Sequence, residues 1–377
     1  MDFSLDDDHI ALQDAVRRFC DGEYPAHLRG NRESAELAAR RWAGMAELGL
    51  LGLPFDTELG GSGQGAVELM LVAQELGRSL AGGAWLSSVV LAGQLLADAG
   101  SPTQCGAWLP KIASGEKRLA LAFAEADSRY ELSRVNTRAR VSDDGIRVDG
   151  RKTLVLDGDS ADAFLVVARS AGDTHDAHGL TLLLVDAHAS GVVVQGFDTL
   201  DARRAAHVDF NAVQLGGDAV VGAVGGALHL LDRAVDRATA ALCAEAAGAI
   251  DALITMTAEH LKTRQQFGAP LARFQVLQHR MADMLIACEQ TRSMACAAAM
   301  AVQDADAAQR RRLVSAAKLI AGQSGRQVGQ WAIQLHGAMG MTDECRAGHY
   351  AKRLLVINQL FGDATHHLQV LADQPQS

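Results

Sequence analysis

At 377 residues the chain is too long for one ordinary hydrophobic core and should divide into two or three parts that each bury their own. Apolar residues make up 49% of it, which excludes an intrinsically disordered chain. A formal charge of −10 argues against a nucleic-acid binder, because no basic surplus is present to displace counterions from phosphates.

Aromatics are scarce while Ala and Gly abound, a composition suited to closely packed helices and to backbone lying against flat ligands. Six cysteines, Cys20, Cys105, Cys243, Cys288, Cys296 and Cys345, form no C-x-x-C pair, so they read as reduced core residues without a metal or disulfide framework. The longest uncharged run, Leu80 to Ala97, holds glycines, serines and a glutamine and reads as a buried helix, with no membrane expected. The acidic opening Asp6-Asp7-Asp8 carries no basic region before an apolar segment, so a cytoplasmic protein is expected.

In chain order, Ser4 stands before the three aspartates like an N-cap, and Ile10, Leu12, Ala15, Val16 and Phe19 then repeat at helical spacing. A second helix is expected over Ala35 to Leu48, a glycine-rich loop to Gly65, and helix again from Ala66 to Ala99, with Gly100-Ser101-Pro102 as a stop. From Leu119 the pattern changes to short apolar runs between turn residues: Leu119 to Phe123, Gly145 to Gly150, Phe164 to Val167, Leu180 to Val185 and Val192 to Val194. These read as strands of a small barrel or sandwich. After Gly225-Gly226, long Ala-rich helices are expected over Leu228 to Phe267, Gln275 to Gln303, Arg310 to Leu335 and Gly348 to Leu371, joined by short connections as in a four-helix bundle. The expected layout is a helical part over 1–118, a β part over 119–222 and a bundle over 223–377.

Three motifs in the last part carry a resemblance: Arg264-x-Gln266-Phe267-Gly268-x-Pro270, then Phe274-Gln275-x-x-Gln278 with Ala282-Asp283-Met284, and Gln334-Leu335-His336-Gly337. Together with the α, β, α layout over the whole chain, they resemble the acyl-CoA dehydrogenase superfamily of flavoproteins. Within it, Cys243-Ala244-Glu245-Ala246, Lys262-Thr263-Arg264 and Leu360-Phe361-Gly362-Asp363 are most similar to the small subunits of pimeloyl-CoA dehydrogenases. The resemblance implies a mainly α fold with a central β-barrel and a C-terminal four-helix bundle. It also implies FAD as cofactor and α,β-dehydrogenation of an acyl-CoA, including a dicarboxylyl-CoA, to the trans-2-enoyl-CoA. An electron-transfer flavoprotein as acceptor and a homo- or heterotetramer with a larger homologous chain follow from the same likeness.

By that likeness FAD lies across a subunit contact, with Arg264, Gln266, Phe274 and Gln275, and with Gln334, Gly337 and Ala338 at the adenine end. A guanidinium suits diphosphate oxygens because its donors form a fixed planar fork. Removing the proton beside a thioester calls for a desolvated carboxylate. The family glutamate near the carboxy terminus matches Phe361 here, and the alternative position on the first bundle helix is Ala238. Two turns beyond Ala238, on the same face, lies Glu245, alone among small residues; it is expected either as the base or as one half of a pair across the bundle. Asp363 is the second candidate base, against the plainer reading of a helix cap.

The middle part departs from the family pattern. The strand and loop that meet flavin and substrate read Ala124-Glu125-Ala126-Asp127-Ser128-Arg129-Tyr130-Glu131, and Leu154-Val155-Leu156 replaces a Trp-x-Thr contact to the flavin ring. Leucines can pack against isoalloxazine but offer its nitrogens no side-chain hydrogen bond. A catalytically silent subunit that completes the FAD and substrate site of a homologous partner is therefore the competing expectation. His366, His367 and the cluster Arg310-Arg311-Arg312 read as surface residues, the arginines within reach of CoA phosphates.

Overall fold

The computed structural model describes residues 5–373, apart from 26, 28, 29, 31, 32, 143, 144 and 305. Helices α1 (Asp7–Glu23), α2 (Ala35–Glu47) and α3 (Ala66–Arg78) open the chain. Ser4 lies outside the described residues; the cap of α1 is Asp6, whose carboxylate accepts from the His9 amide at 2.9 Å. The long helix expected over Ala66 to Ala99 is interrupted. Leu80 and Gly83 take positive φ (49° and 98°), breaking the chain before a π-helix, Trp85–Gly93, that passes into α4 (Gln94–Ala99). The stop expected at Gly100-Ser101-Pro102 holds, with Gly100 as the C-cap of α4, and Ser101 at once starts another helix, because Ser101 and Gln104 form a capping box for α5 (Pro102–Ala113).

The middle part is one eight-stranded sheet: β1 (Leu119–Ala122), β2 (Arg138–Ser142), β3 (Gly145–Leu156), β4 (Ala163–Arg169), β5 (Leu180–Asp186), β6 (Val192–Asp198), β7 (Arg204–Leu215) and β8 (Val220–Val221). Its order is β6-β7-β3-β2-β4-β5-β8, with β1 parallel to β4. Strands β1, β4 and β5 are buried on both faces. Ala120, Phe164, Val166 and Leu183 face a core inside the sheet, while Leu119, Leu121, Leu165 and Leu182 face the helices. The sequence reading missed β2 and the whole of β7, whose Arg204, His207, Asp209 and Asn211 break the apolar signal although its alternate residues Ala206, Val208 and Phe210 are buried.

The last part packs α6 (Leu228–Thr263), α7 (Gln275–Ala301), α8 (Ala307–His336), α9 (Arg346–Gln359) and α10 (Ala364–Ala372). Helix α6 is the one described helix long and apolar enough to cross a membrane, and 72% of its apolar window is buried inside the protein, as befits a core helix. The single last helix expected from Gly348 is two helices, because Phe361 and Gly362 take positive φ (58° and 115°) and turn the chain between α9 and α10.

The N-terminal part meets the bundle where α3 crosses α6. A Cβ added to Gly77 would lie 2.0 Å from the Glu245 carbonyl oxygen, and one added to Gly248 would lie 1.9 Å from that of Gln74. Only glycine lets the two backbones approach this closely. The crossing fixes Glu245 at the junction of all three parts.

Candidate functional site

Two cavities meet at that junction and share Leu154, Leu156, Gln359 and Leu360 in their walls. The larger, about 410 Å³, has leucines of β3 on one side and Leu355, Val356 and Leu360 of α9 on the other. It falls within the roughly 300–1,000 Å³ range of small-molecule sites. The smaller, about 110 Å³, runs from Leu91 of the π-helix past Phe123, Tyr130 and Thr239 to a mouth at Asp232, Asp236 and Arg311. Its walls contain the segments that the resemblance places against substrate.

A bulge on β3 shapes the wall between them. Lys152 pairs with Val208 and Val155 with Ala206, so two residues of β3 oppose one of β7, and Leu154, at φ 51° and 43% exposed, turns outward into both cavities. Beneath it a buried pair stiffens the strand. Lys152 Nζ lies 2.7 Å from Glu125, which also accepts from the Asn136 and Thr137 amides and the Thr137 hydroxyl. Burial pushes the Glu125 carboxyl up, but Lys152 and these donors outweigh it and hold it below its usual value.

Opposite stands the turn between α9 and α10. Phe361, at the position of the family base, packs its ring against Phe123 with centroids 6.3 Å apart. Tyr130 reaches the same turn, its hydroxyl 3.2 Å from Gln359 Oε1 and its ring 5.0 Å from that of His366. The smaller cavity is narrow because aromatic side chains fill the space between β1 and α10. His366 and His367, expected at the surface, line it instead. His367 is buried, lies 3.1 Å from the Ser315 hydroxyl and 3.2 Å from the Phe361 carbonyl, and burial lowers its pKa to about 3, so it is neutral.

Glu245 is 5% exposed and adopts the paired alternative of the two left open by the sequence. Arg353 of α9 holds it with both arms, Nε to Oε1 and Nη2 to Oε2, each at 2.7 Å, and Arg203 reaches Oε1 at 2.6 Å. Asp201 completes the cluster, 2.8 Å from Arg353 Nη1, and Arg203 also donates to the Ala81 carbonyl at 2.9 Å. Two acids and two guanidiniums thus balance inside the protein, tying the N-terminal part, the β7 approach and two bundle helices together. Burial raises the Glu245 carboxyl, but the charges of Arg203 and Arg353 prevail and hold it below its ordinary value. A carboxylate so bound is a poor proton acceptor at neutral pH. Glu245 also lines neither of the two cavities.

Asp363 caps α10, its carboxylate accepting from the His366 amide at 2.8 Å. The turn before it is pinned rather than free to shift. His367 holds the Phe361 carbonyl, and Lys318 of α8 donates to the carbonyls of Asn358, at 3.0 Å, and Gly362.

The seven residues expected at FAD gather elsewhere, at one end of the bundle. Arg264 closes α6, and Gln334, Gly337 and Ala338 close α8; the two ends meet through stacked His260 and His336 rings 4.4 Å apart. Phe274 and Gln275 open α7 beside them, with the Leu271 amide donating to the Arg264 carbonyl at 2.9 Å. Arg264, Gln266, Gln275, Gln334, Gly337 and Ala338 are exposed, and none of the seven lines either cavity. Arg264 makes no ion pair among the described residues, and a Cβ on Gly337 (φ 65°) would meet nothing within 4 Å. An unpaired, exposed guanidinium beside open backbone and the 89% exposed Phe267 ring fits the diphosphate and adenine end of a FAD that extends from another chain. The ring end fits less fully, since the larger cavity offers leucine walls and guanidiniums already engaged by carboxylates.

The sequence reading missed the charges at the mouth of the smaller cavity. Asp232 and Asp236, one turn apart on α6, face Arg311 at 3.6 Å and Arg310 at 2.8 Å; Arg310, expected in solvent, is buried there. Burial raises the carboxyls of both aspartates, opposed by the two arginines. The i, i+4 acid spacing was visible, but nothing local placed it opposite the arginine cluster. Arg203 and Arg353 were missed for the same reason, since their partner lies on a distant segment.

Three family models match in succession: the acyl-CoA dehydrogenase N-terminal domain over 6–116, the middle domain over 120–213 and the C-terminal domain over 228–374. Among known relatives, acyl-CoA dehydrogenase FadE27 of Mycobacterium tuberculosis is 29% identical over 87% of this chain and 86% of its own. A chain of the ChsE4-ChsE5 complex from Mycobacterium tuberculosis superposes with a TM-score of 0.87 at 28% identity, covering 100% of both chains. Butyryl-CoA dehydrogenase from Megasphaera elsdenii shares the fold, with a TM-score of 0.90 at 22% identity over 99% of each chain. With all three domain models in order over an α, β, α architecture, the chain belongs to the acyl-CoA dehydrogenase family of FAD-dependent oxidoreductases.

Proposed function

We propose that this chain is the subunit of a heteromeric acyl-CoA dehydrogenase that completes a FAD site without supplying the proton-abstracting base. One observation carries the reading: each carboxylate available to the reaction is already engaged. Asp232 and Asp236, the two acids lining the smaller cavity, lie against Arg311 and Arg310; of the two lining the larger one, Asp201 is held by Arg353 and Asp157 accepts from the Ser87 hydroxyl at 2.6 Å; Glu245 is held by two guanidiniums, Asp363 caps a helix, and the resemblance puts Phe361 at the family base position.

A bound FAD would supply the acceptor for the hydride from the β-carbon. For this chain the work is binding. Arg264 presents its fork to diphosphate oxygens, Phe274, Gln266 and Gln275 flank it, and Gln334, Gly337 and Ala338 admit the adenine. The homologous partner supplies the free glutamate and the main flavin-ring contacts. The ChsE4-ChsE5 likeness supports a two-chain assembly, here a heterotetramer. The acyl-CoA substrate, as a dicarboxylyl thioester, the electron-transfer flavoprotein acceptor and a cytoplasmic setting follow the family likeness.

Flavin stoichiometry tests the proposal. The pure chain should carry far less than one FAD, and the mixed tetramer should bind flavin that acyl-CoA bleaches anaerobically. One tightly bound, substrate-reducible FAD per isolated chain would overturn it.

A further inference from the structure

Helix α8 carries a charge that the proposed function leaves unused. Lys318 is 0% exposed, yet among the described residues its ammonium has no carboxylate within ion-pair distance. Its hydrogen-bond partners are two main-chain carbonyls, those of Asn358 at the end of α9 and Gly362 in the turn before α10. An ammonium buried against carbonyls alone is expensive, and burial lowers its pKa to about 8. The nearby titratable groups are Cys243 of α6 and Asp363, His366 and His367 around α10. His367 is neutral and the Cys243 thiol is pushed up to about 12 by burial, so neither offers a compensating charge.

Lys318 shares a helix face with Ser315, three residues before it, and Gly322, four after it. Ser315 orients His367, which holds the Phe361 carbonyl. Gly322 leaves room for the Asn358 side chain, whose Oδ1 would lie 2.2 Å from an added Cβ and which accepts from the Ala364 amide at 3.3 Å. One stripe of α8 thereby fixes, in order, the carbonyls or amides of Asn358, Phe361, Gly362 and Ala364. The turn they bracket is backbone that would not hold itself, since Phe361 is a bulky residue at φ 58° and Gly362 lies at φ 115°. That turn carries Gln359 and Leu360, which wall both cavities, and the Phe361 ring that narrows the smaller one.

We propose that Lys318 is a positioning residue: by holding the Asn358 and Gly362 carbonyls it fixes the strained α9–α10 turn, and with it the wall that the two cavities share. The FAD readout below rests on the function proposed above; the exchange readout does not.

The test is amide hydrogen exchange of the full chain, read by mass spectrometry over 359–366, alongside FAD titration of the assembled flavoprotein. In Lys318→Met the turn amides should exchange about tenfold faster or more, with β4 and α6 unchanged, and FAD affinity should stay as in wild type, because Arg264 and Gln334 lie at the other end of the bundle. Lys318→Gln, which keeps two N–H donors without charge, should recover part of the protection. Gly322→Ala, which displaces Asn358 from the same face, should loosen the same amides while Lys318 stays in place; it decides the matter if Lys318→Met does not fold. Wild-type protection of the turn in both variants, or acceleration spread evenly over the chain, would overturn the proposal. Faster exchange together with weakened FAD binding would keep Lys318 as the clamp of the turn and overturn instead the reading that the partner supplies the flavin-ring contacts.

Discussion

Replacing Glu245 by Gln separates an ion-pair role from a catalytic one. The carboxylate receives three charge-assisted hydrogen bonds of 2.6–2.7 Å at 5% exposure, so solvent does little to weaken them. Gln keeps one acceptor, loses the charge and turns an NH2 group toward a guanidinium. Breaking one side of a buried pair costs about 3–5 kcal/mol, because the partner is left charged and unsatisfied. At about 2 °C per kcal/mol for a large domain, Tm should fall by roughly 6–10 °C. The double variant Glu245→Met with Arg353→Met should regain much of this loss, since it leaves less uncompensated charge. Because the folded carboxyl lies below its ordinary value, its stabilisation is complete above the unfolded carboxylate pKa and lost as pH falls through the folded one. The gap between wild type and Glu245→Gln should therefore be widest near neutrality and close in acid, as read by thermal melts across pH. A Glu245→Gln chain that melts like wild type, retains FAD and loses turnover would refute this and make Glu245 the base.

Other outcomes follow from the same structure. Arg264→Ala should weaken FAD binding by the assembled protein about tenfold or more and leave Tm within about 1 °C, since the side chain is exposed and unpaired; flavin titration and a melt check both halves. Asp363→Ala should cost about 1 kcal/mol through the lost cap and leave turnover of the complex intact, which denaturant titration and steady-state rates can decide. Lys318 and the unfolded chain differ in proton binding between pH about 8 and the ordinary lysine range. The unfolded state binds more protons there, so wild-type stability relative to Lys318→Met should rise with pH across that window; a flat difference would count against a buried ammonium.

The order of helix, sheet and helix was legible because each part keeps one hydrophobic period over long stretches, and α6, with its Ala-rich burial from Ala238 to Ile250, is the clearest case. Elements failed where a few residues override the period. Leu80 and Gly83 break one long helix, and Phe361 with Gly362 break another, through positive φ that an apolar pattern does not reveal. The proposed FAD edge could be picked out in the sequence because Arg264 to Gly268 is contiguous there. The fate of Glu245 could not, since Arg203 lies 42 positions away and Arg353 108 positions away. A lone acid on a small-residue face signals burial; its partner is visible only once the chain is folded.

Those long-range partners also bear on the proposal that this chain keeps the family fold without a base. In this chain the three parts are joined at Glu245, Asp201, Arg203 and Arg353, none of which lines the smaller cavity, while Asp201, Arg203 and Arg353 reach the larger one. The turn between α9 and α10 is held separately, by Lys318 and His367 from behind. Neither anchor uses the side chain at 361. The site of the family glutamate could accordingly become Phe361, whose ring gains contact with Phe123, without loosening the frame that presents Arg264 and Gln334 at the far end of α6 and α8. Supplying one half of a FAD site and supplying a base are thus separable in this fold. On this argument Phe361→Glu should leave the flavin edge unaltered and place an isolated carboxyl between the two cavities. Acyl-CoA bleaching by this chain's own site, with Glu245 left in its pair, would show the two functions to be independent.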